Sequence, residues 1–88
     1  MQSRRSRRTL PASAEALFGR TIRELRKQRG LSQEALAFES GYHPTYISQL
    51  ERGKKSPSLR TIVRLSTVLR IPGSEILKRI EAGLSASS

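Results

Sequence analysis

The strongest constraint on the fold lies in residues 33–50, where Leu36, Ala37, Gly41, Ile47 and Leu50 stand at fixed spacings. Two short helices separated by only three or four residues have to cross steeply to share one core. Such a corner needs a small residue where the axes approach, and Ala37 supplies it. It needs a residue that accepts positive φ in the turn, and Gly41 supplies that. The second helix then has to turn branched apolar side chains inward, first Ile47 and one turn later Leu50, with Leu36 closing the cluster from the first helix. All five demands are met at once, so the rest of the chain must be material that packs around this corner.

The flanking segments read as further helices. Ser13 caps a helix running to about Arg29, with Leu17, Phe18, Ile22 and Leu25 inward and Gly30 as its stop. Ser32 caps the first helix of the corner, residues 33–39. The second begins at His43 or Pro44, proline suiting a first helical position, and Gly53 ends it. Ser58 caps a fourth helix to about Leu69, with Leu59, Ile62, Val63, Ser66 and Leu69 assigned to one side. A fifth covers residues 73–82 and carries Ile76, Leu77 and Ile80. There is no strand pattern and no internal repeat. The expectation is an all-α, compact five-helix domain over residues 14–82, preceded by a basic arm (1–13) and followed by a short polar tail (83–88).

Charge narrows the function. The 88 residues hold 17 Lys and Arg against 7 acids, all of them Glu, for a net +10. Such a chain is drawn to polyanions and gains from counterion release at each phosphate it neutralises. An anionic membrane surface is the other fate of a basic protein, but no run approaches the ~20 apolar residues of a span. With no cysteine, neither a disulfide nor a thiolate metal site is available. No apolar run follows Arg4, Arg5, Arg7 and Arg8, so they do not open a secretory signal, and a cytoplasmic location is expected.

Three separated blocks carry a family resemblance. They are Gly30-Leu31-Ser32-Gln33-Glu34-Ala35-Leu36-Ala37, Tyr46-Ile47-Ser48-Gln49-Leu50-Glu51-Arg52-Gly53-Lys54, and Pro57-Ser58-Leu59. In order and spacing they resemble the XRE group of helix-turn-helix domains, which includes the Cro and lambda-repressor DNA-binding heads of phages. The resemblance spans about residues 18–77 and does not reach the arm or the tail. It implies a lambda-repressor-like fold whose second motif helix enters the major groove with its N-terminal part toward the bases.

Under that resemblance the outward residues of the reading helix are Pro44, Thr45, Ser48 and Gln49. Gln49 can pair bidentately with adenine, and Thr45 can bond a base or touch a thymine methyl. Pro44 departs from the glutamine frequent at that place in phage members, and starting the helix is its simpler role. Gln33 is implied to meet a phosphate through its side chain or backbone amide. Tyr46 either reaches a phosphate through its hydroxyl or packs its ring beside the motif. Lys54 and Lys55 are candidate phosphate anchors, and His43 sits at the helix cap where the DNA backbone passes. Glu51 would repel phosphate if it faced DNA, and the resemblance implies an ion pair with Arg26 behind the reading face.

The arm with Arg4, Arg5, Arg7 and Arg8 either follows the minor groove or makes no defined contact. One reading helix covers few base pairs, so a homodimer on paired half-sites is expected. Ile76, Leu77, Ile80 and Leu84 are the candidate interface. Among short stand-alone regulators, the segment from Glu39 to Ser48 looks closest to restriction-modification controllers. The alternative is an antitoxin-like or adaptor module whose main partner is another protein. With one histidine and no paired carboxylates or phosphate-cradling glycine loop, neither a catalytic centre, a metal site nor a cofactor is expected.

Overall fold

The computed structural model describes residues 13–87, and the arginine-bearing arm lies outside them. Five helices follow one another with no strand among the described residues: α1 (Ala14–Gln28), α2 (Gln33–Ser40), α3 (Pro44–Glu51), α4 (Leu59–Leu69) and α5 (Gly73–Ser87). Three of them start alike. The hydroxyls of Ser13, Ser32 and Ser58 accept from the backbone amides of Ala16, Ala35 and Thr61 at 3.1, 3.0 and 3.1 Å. Each satisfies a first-turn N–H that has no helical acceptor.

The corner between α2 and α3 turns at Gly41, whose φ of +81° lies in the left-handed region. The Tyr42 amide then donates back to the Ala37 carbonyl at 2.9 Å, so the last turn of α2 is closed before α3 starts. Leu36, Ile47 and Leu50 are fully buried at the crossing, with Phe18 and Ile22 of α1, Leu65 of α4 and Ile76 of α5 completing the centre. Each such side chain removed from water contributes about 1.5–3 kcal/mol. α1 lies against both α3 and α5, and α2 against α3 and α4, so the corner is gripped from two sides.

The approach of α1 to α3 is closer than side chains would permit. Gly19 faces the C-terminal backbone of α3, where a Cβ would overlap the Leu50 carbonyl oxygen and lie 2.6 Å from that of Glu51. This glycine lies inside a helix, where its propensity is poor. Contact, not turn chemistry, explains it.

Two expectations are corrected. Leu59 and Val63 do not belong to the inner side of α4, being 75% and 55% exposed, and the buried side is Thr61, Leu65, Ser66 and Leu69. Ser66 and Leu69 stay inside as expected, so the buried side is turned by less than one residue step, ~100°, from the expected one. Thr61 enters the interior because its hydroxyl has polar partners there. The second correction is length: α5 runs on to Ser87, through the residues read as a tail. Gly83 is tolerated within it because the Leu17 side chain of α1 packs where a Cβ would stand.

Candidate nucleic-acid interface

α3 is eight residues long, and its ends are held by the fold. His43 is its N-cap: the imidazole Nδ1 accepts from the Thr45 amide at 3.1 Å, and Pro44 fills the first helical position, where no donor is needed. His43 is therefore a capping residue at the surface. With Ile47 and Leu50 at zero exposure, the opposite side of the helix is Pro44, Thr45, Ser48 and Gln49. Thr45 is exposed and the other three are half-exposed. At the far end the Lys54 amide donates to the Gln49 carbonyl at 2.9 Å, folding the basic loop back along the helix, and both Lys54 and Lys55 are exposed.

Behind this face α3 is tied down through one carboxylate. Arg26 Nε donates to Glu51 Oε2 at 2.6 Å and Arg26 Nη2 to Oε1 at 2.9 Å, while Nη1 donates to the Leu31 carbonyl at 2.8 Å. The two side chains are 9% and 3% exposed. The bond to Glu51 and its negative charge raise the Arg26 pKa above the ordinary guanidinium value, against the opposing effect of burial. A bidentate arginine–carboxylate pair also fixes orientation, since both planes must align.

Gln33 joins the same carboxylate. Its Nε2 donates to Glu51 Oε1 at 2.9 Å. One of the two amide protons of its side chain is thus spent inside the protein, leaving the second and the backbone N–H for any phosphate. α1, α2 and α3 consequently meet at Glu51, on the side of α3 away from Thr45.

Tyr46 is half-buried, and its hydroxyl lies 3.1 Å from Thr61 Oγ1 in α4. Its ring leans on Tyr42, centroids 5.0 Å apart, and the Arg64 guanidinium sits 5.2 Å from the Tyr42 ring centre. Both roles considered for Tyr46 therefore start from a hydroxyl already engaged. Thr61 and Tyr42 were not singled out by sequence. The spacing of Ser58 to Thr61 signals only a cap, and nothing local indicates that two tyrosines converge on it.

The candidate dimer residues divide. Ile76 and Ile80 are buried in the chain's own core, at 0% and 7% exposure, so they are withdrawn as interface residues. They lie on the side of α5 that faces α1 and α4. Leu77 and Leu84 are 45% and 40% exposed. Leu77 borders an apolar hollow of about 180 Å³ whose walls include Phe18, Pro57 and Ile62. Arg4, Arg5, Arg7 and Arg8 lie outside the described residues.

A short helix with a polar outer face, set by a glycine-turned corner and followed by exposed lysines, defines a helix-turn-helix head. A family model described as Helix-turn-helix matches residues 22–76. The control protein C.BamHI of Bacillus amyloliquefaciens is 42% identical over 62 residues, 69% of this chain and 76% of that protein. The crystal structure of the restriction-modification controller protein C.AhdI from Aeromonas hydrophila superposes with a TM-score of 0.67 at 46% identity, over 69% of this chain and 92% of that one. The chain belongs to the XRE-like helix-turn-helix family. The controller C.Esp1396I, solved as a tetramer in complex with its natural 35 base-pair operator, shares the fold at 20% identity, with a TM-score of 0.73 over 83% of this chain and 96% of that one.

Proposed function

We propose that this chain is a transcription regulator that binds specific double-stranded DNA as a homodimer, each subunit placing α3 in the major groove. The observation that carries this reading is the division of α3 into two sides. Ile47 and Leu50 are wholly inside, and Pro44, Thr45, Ser48 and Gln49 face outward, with Lys54 and Lys55 beside them. Gln49 and Thr45 read base edges, Ser48 supplements them, and Pro44 offers apolar contact. Lys54 and Lys55 hold phosphates, as does Gln33 through its remaining donors. His43 sets the helix end near the DNA backbone, and the arginines of the arm add sequence-independent attraction.

The likeness to control proteins favours a controller-type regulator, acting in the cytoplasm where its DNA is. No helix among the described residues is long and apolar enough to cross a membrane. Its work is binding, with no reaction step. Leu77 and Leu84 on α5, with the hollow beside Leu77, form the surface that meets the second subunit.

The test is selection of bound duplexes from a random pool at moderate salt. The expected product is a two-fold symmetric pair of half-sites. Recovery of sequences no different from the starting pool would reject the reading. Sedimentation provides the companion measurement, and a monomer at high protein concentration would remove the dimer.

A further inference from the structure

Thr61 is the most densely used hydroxyl in the described residues. Its Oγ1 lies 3.1 Å from the Tyr42 hydroxyl, 3.1 Å from the Tyr46 hydroxyl and 3.0 Å from Ser58 Oγ. The residue is 2% exposed. Tyr42 belongs to the turn of the motif, Tyr46 to the reading helix, and Ser58 is the cap of α4. One buried oxygen thus connects three elements that meet beside the proposed DNA face.

The capacity of a single hydroxyl limits how these protons can be placed. A hydroxyl donates one proton and accepts two. Three neighbours therefore saturate Thr61: two must donate to it and one must accept from it. Ser58 Oγ already accepts from the Thr61 backbone amide at 3.1 Å and retains capacity to donate or accept once more. Three proton arrangements fit the same heavy atoms, one for each neighbour that accepts from Thr61. With Tyr42 as the acceptor, Tyr46 donates inward, as it does in the first of the other two. In the first, both tyrosines donate to Thr61 and Thr61 donates to Ser58. The Tyr46 proton then points inward and cannot serve an acceptor outside. In the second, Thr61 donates to Tyr46, while Tyr42 and Ser58 donate to Thr61. The Tyr46 proton is then free for a phosphate oxygen, which can only accept.

We propose that Thr61 is a positioning residue for DNA recognition: it anchors the Tyr46 hydroxyl and lets that hydroxyl give its proton to the DNA backbone without losing its bond to the protein. This rests on the function proposed above and adds a residue that touches no DNA itself. The exchange turns hydroxyl protons only, so α3 keeps its place while Tyr46 changes partner. Without the Thr61 oxygen, the Tyr46 hydroxyl would lose that bond to the protein, and its ring would be placed only by packing against Tyr42 and the core. The well-seated specific complex needs Tyr46 in one place, whereas loose binding to any duplex does not.

The probe is a duplex selected by the wild-type protein, compared with a random-sequence duplex of equal length. Thr61→Val keeps the shape and removes the oxygen. It is expected to lower affinity for the selected duplex about three- to tenfold, the worth of one net hydrogen bond, with random-duplex affinity little changed. Thr61→Ser should restore the wild-type ratio. Tyr46→Phe should lower the ratio similarly, and the two losses together should fall short of their product, because both remove the same bond. Tyr46→Phe carries the test if Thr61→Val fails to fold. A T61V or Y46F protein with the wild-type ratio overturns the inference, even if its melting temperature falls. If the wild type selects no duplex, the function proposed above and this inference fall together.

Discussion

Replacing Gly19 by alanine separates what sequence propensity recommends from what packing allows. In an exposed helix the change is worth about 1 kcal/mol in favour of alanine. Here the added methyl would overlap the Leu50 carbonyl oxygen and stand 2.6 and 2.8 Å from the oxygen and carbon of the Glu51 carbonyl. All of these are backbone atoms, so no side-chain rotation relieves them. α3 would have to withdraw from α1, opening the contacts of Leu50 and straining the Arg26–Glu51 pair. Overpacking of this kind costs about 1–3 kcal/mol and more where backbone must move. After the propensity gain, a net loss of about 2 kcal/mol is the working figure, or roughly 10 °C in melting temperature for a domain of this size. Thermal unfolding followed by far-ultraviolet circular dichroism measures it. Two internal controls share the chemistry. Gly73→Ala meets nothing nearer than 3.7 Å and should be close to neutral. Gly83→Ala meets the Leu17 side chain at 2.8 Å, a group that can turn aside, and should fall between. A Gly19→Ala protein melting at or above the wild type would refute the close approach of α1 and α3.

Removing one partner of the Arg26–Glu51 pair, as in Arg26→Met, should destabilise by about 3 kcal/mol, because the remaining charge is left buried. Denaturant titration of both single variants and the double variant checks this, and additivity would mean the pair is uncoupled. Gln49→Ala should relax preference at one base position per half-site at about 1–3 kcal/mol, whereas Lys54→Ala should weaken all duplexes about equally. Repeating the duplex selection with each variant distinguishes them, and exchanged outcomes would place the reading side elsewhere. Leu77→Glu with Leu84→Glu should leave the melting curve of the subunit nearly intact and shift sedimentation to the monomer. A persistent dimer would move the interface off α5.

Much of the frame is legible in the residues because its signals are local. A serine ahead of an apolar period, or a glycine where φ must be positive, acts within a few residues. The orientation of α3 could be read for the same reason: Ile47 and Leu50 have only one way to be inside together. The pairing of Arg26 with Glu51 spans 25 positions and came into view only through the family resemblance. Gly19 could have been suspected, since a glycine inside an otherwise good helix often marks a crossing, but its partner backbone, at Leu50 and Glu51, is 31 and 32 positions away. The phase of α4 misled because Leu59 and Val63 look like core, while the residue that turns inward, Thr61, looks like surface. Its burial depends on hydroxyls brought from two other segments. The extension of α5 was hidden by Gly83, whose cost is offset by Leu17 from the opposite end of the chain.

The convergence of Arg26 and Gln33 on Glu51 has a consequence for how such a protein can change. The donors to that carboxylate come from α1 and the start of α2, and Thr45, Ser48 and Gln49 take no part in that anchor. With the reading side as proposed, a substitution at Thr45, Ser48 or Gln49 alters the vocabulary presented to DNA without loosening the anchor behind the helix. New binding preferences can arise one position at a time, each on a scaffold that stays folded.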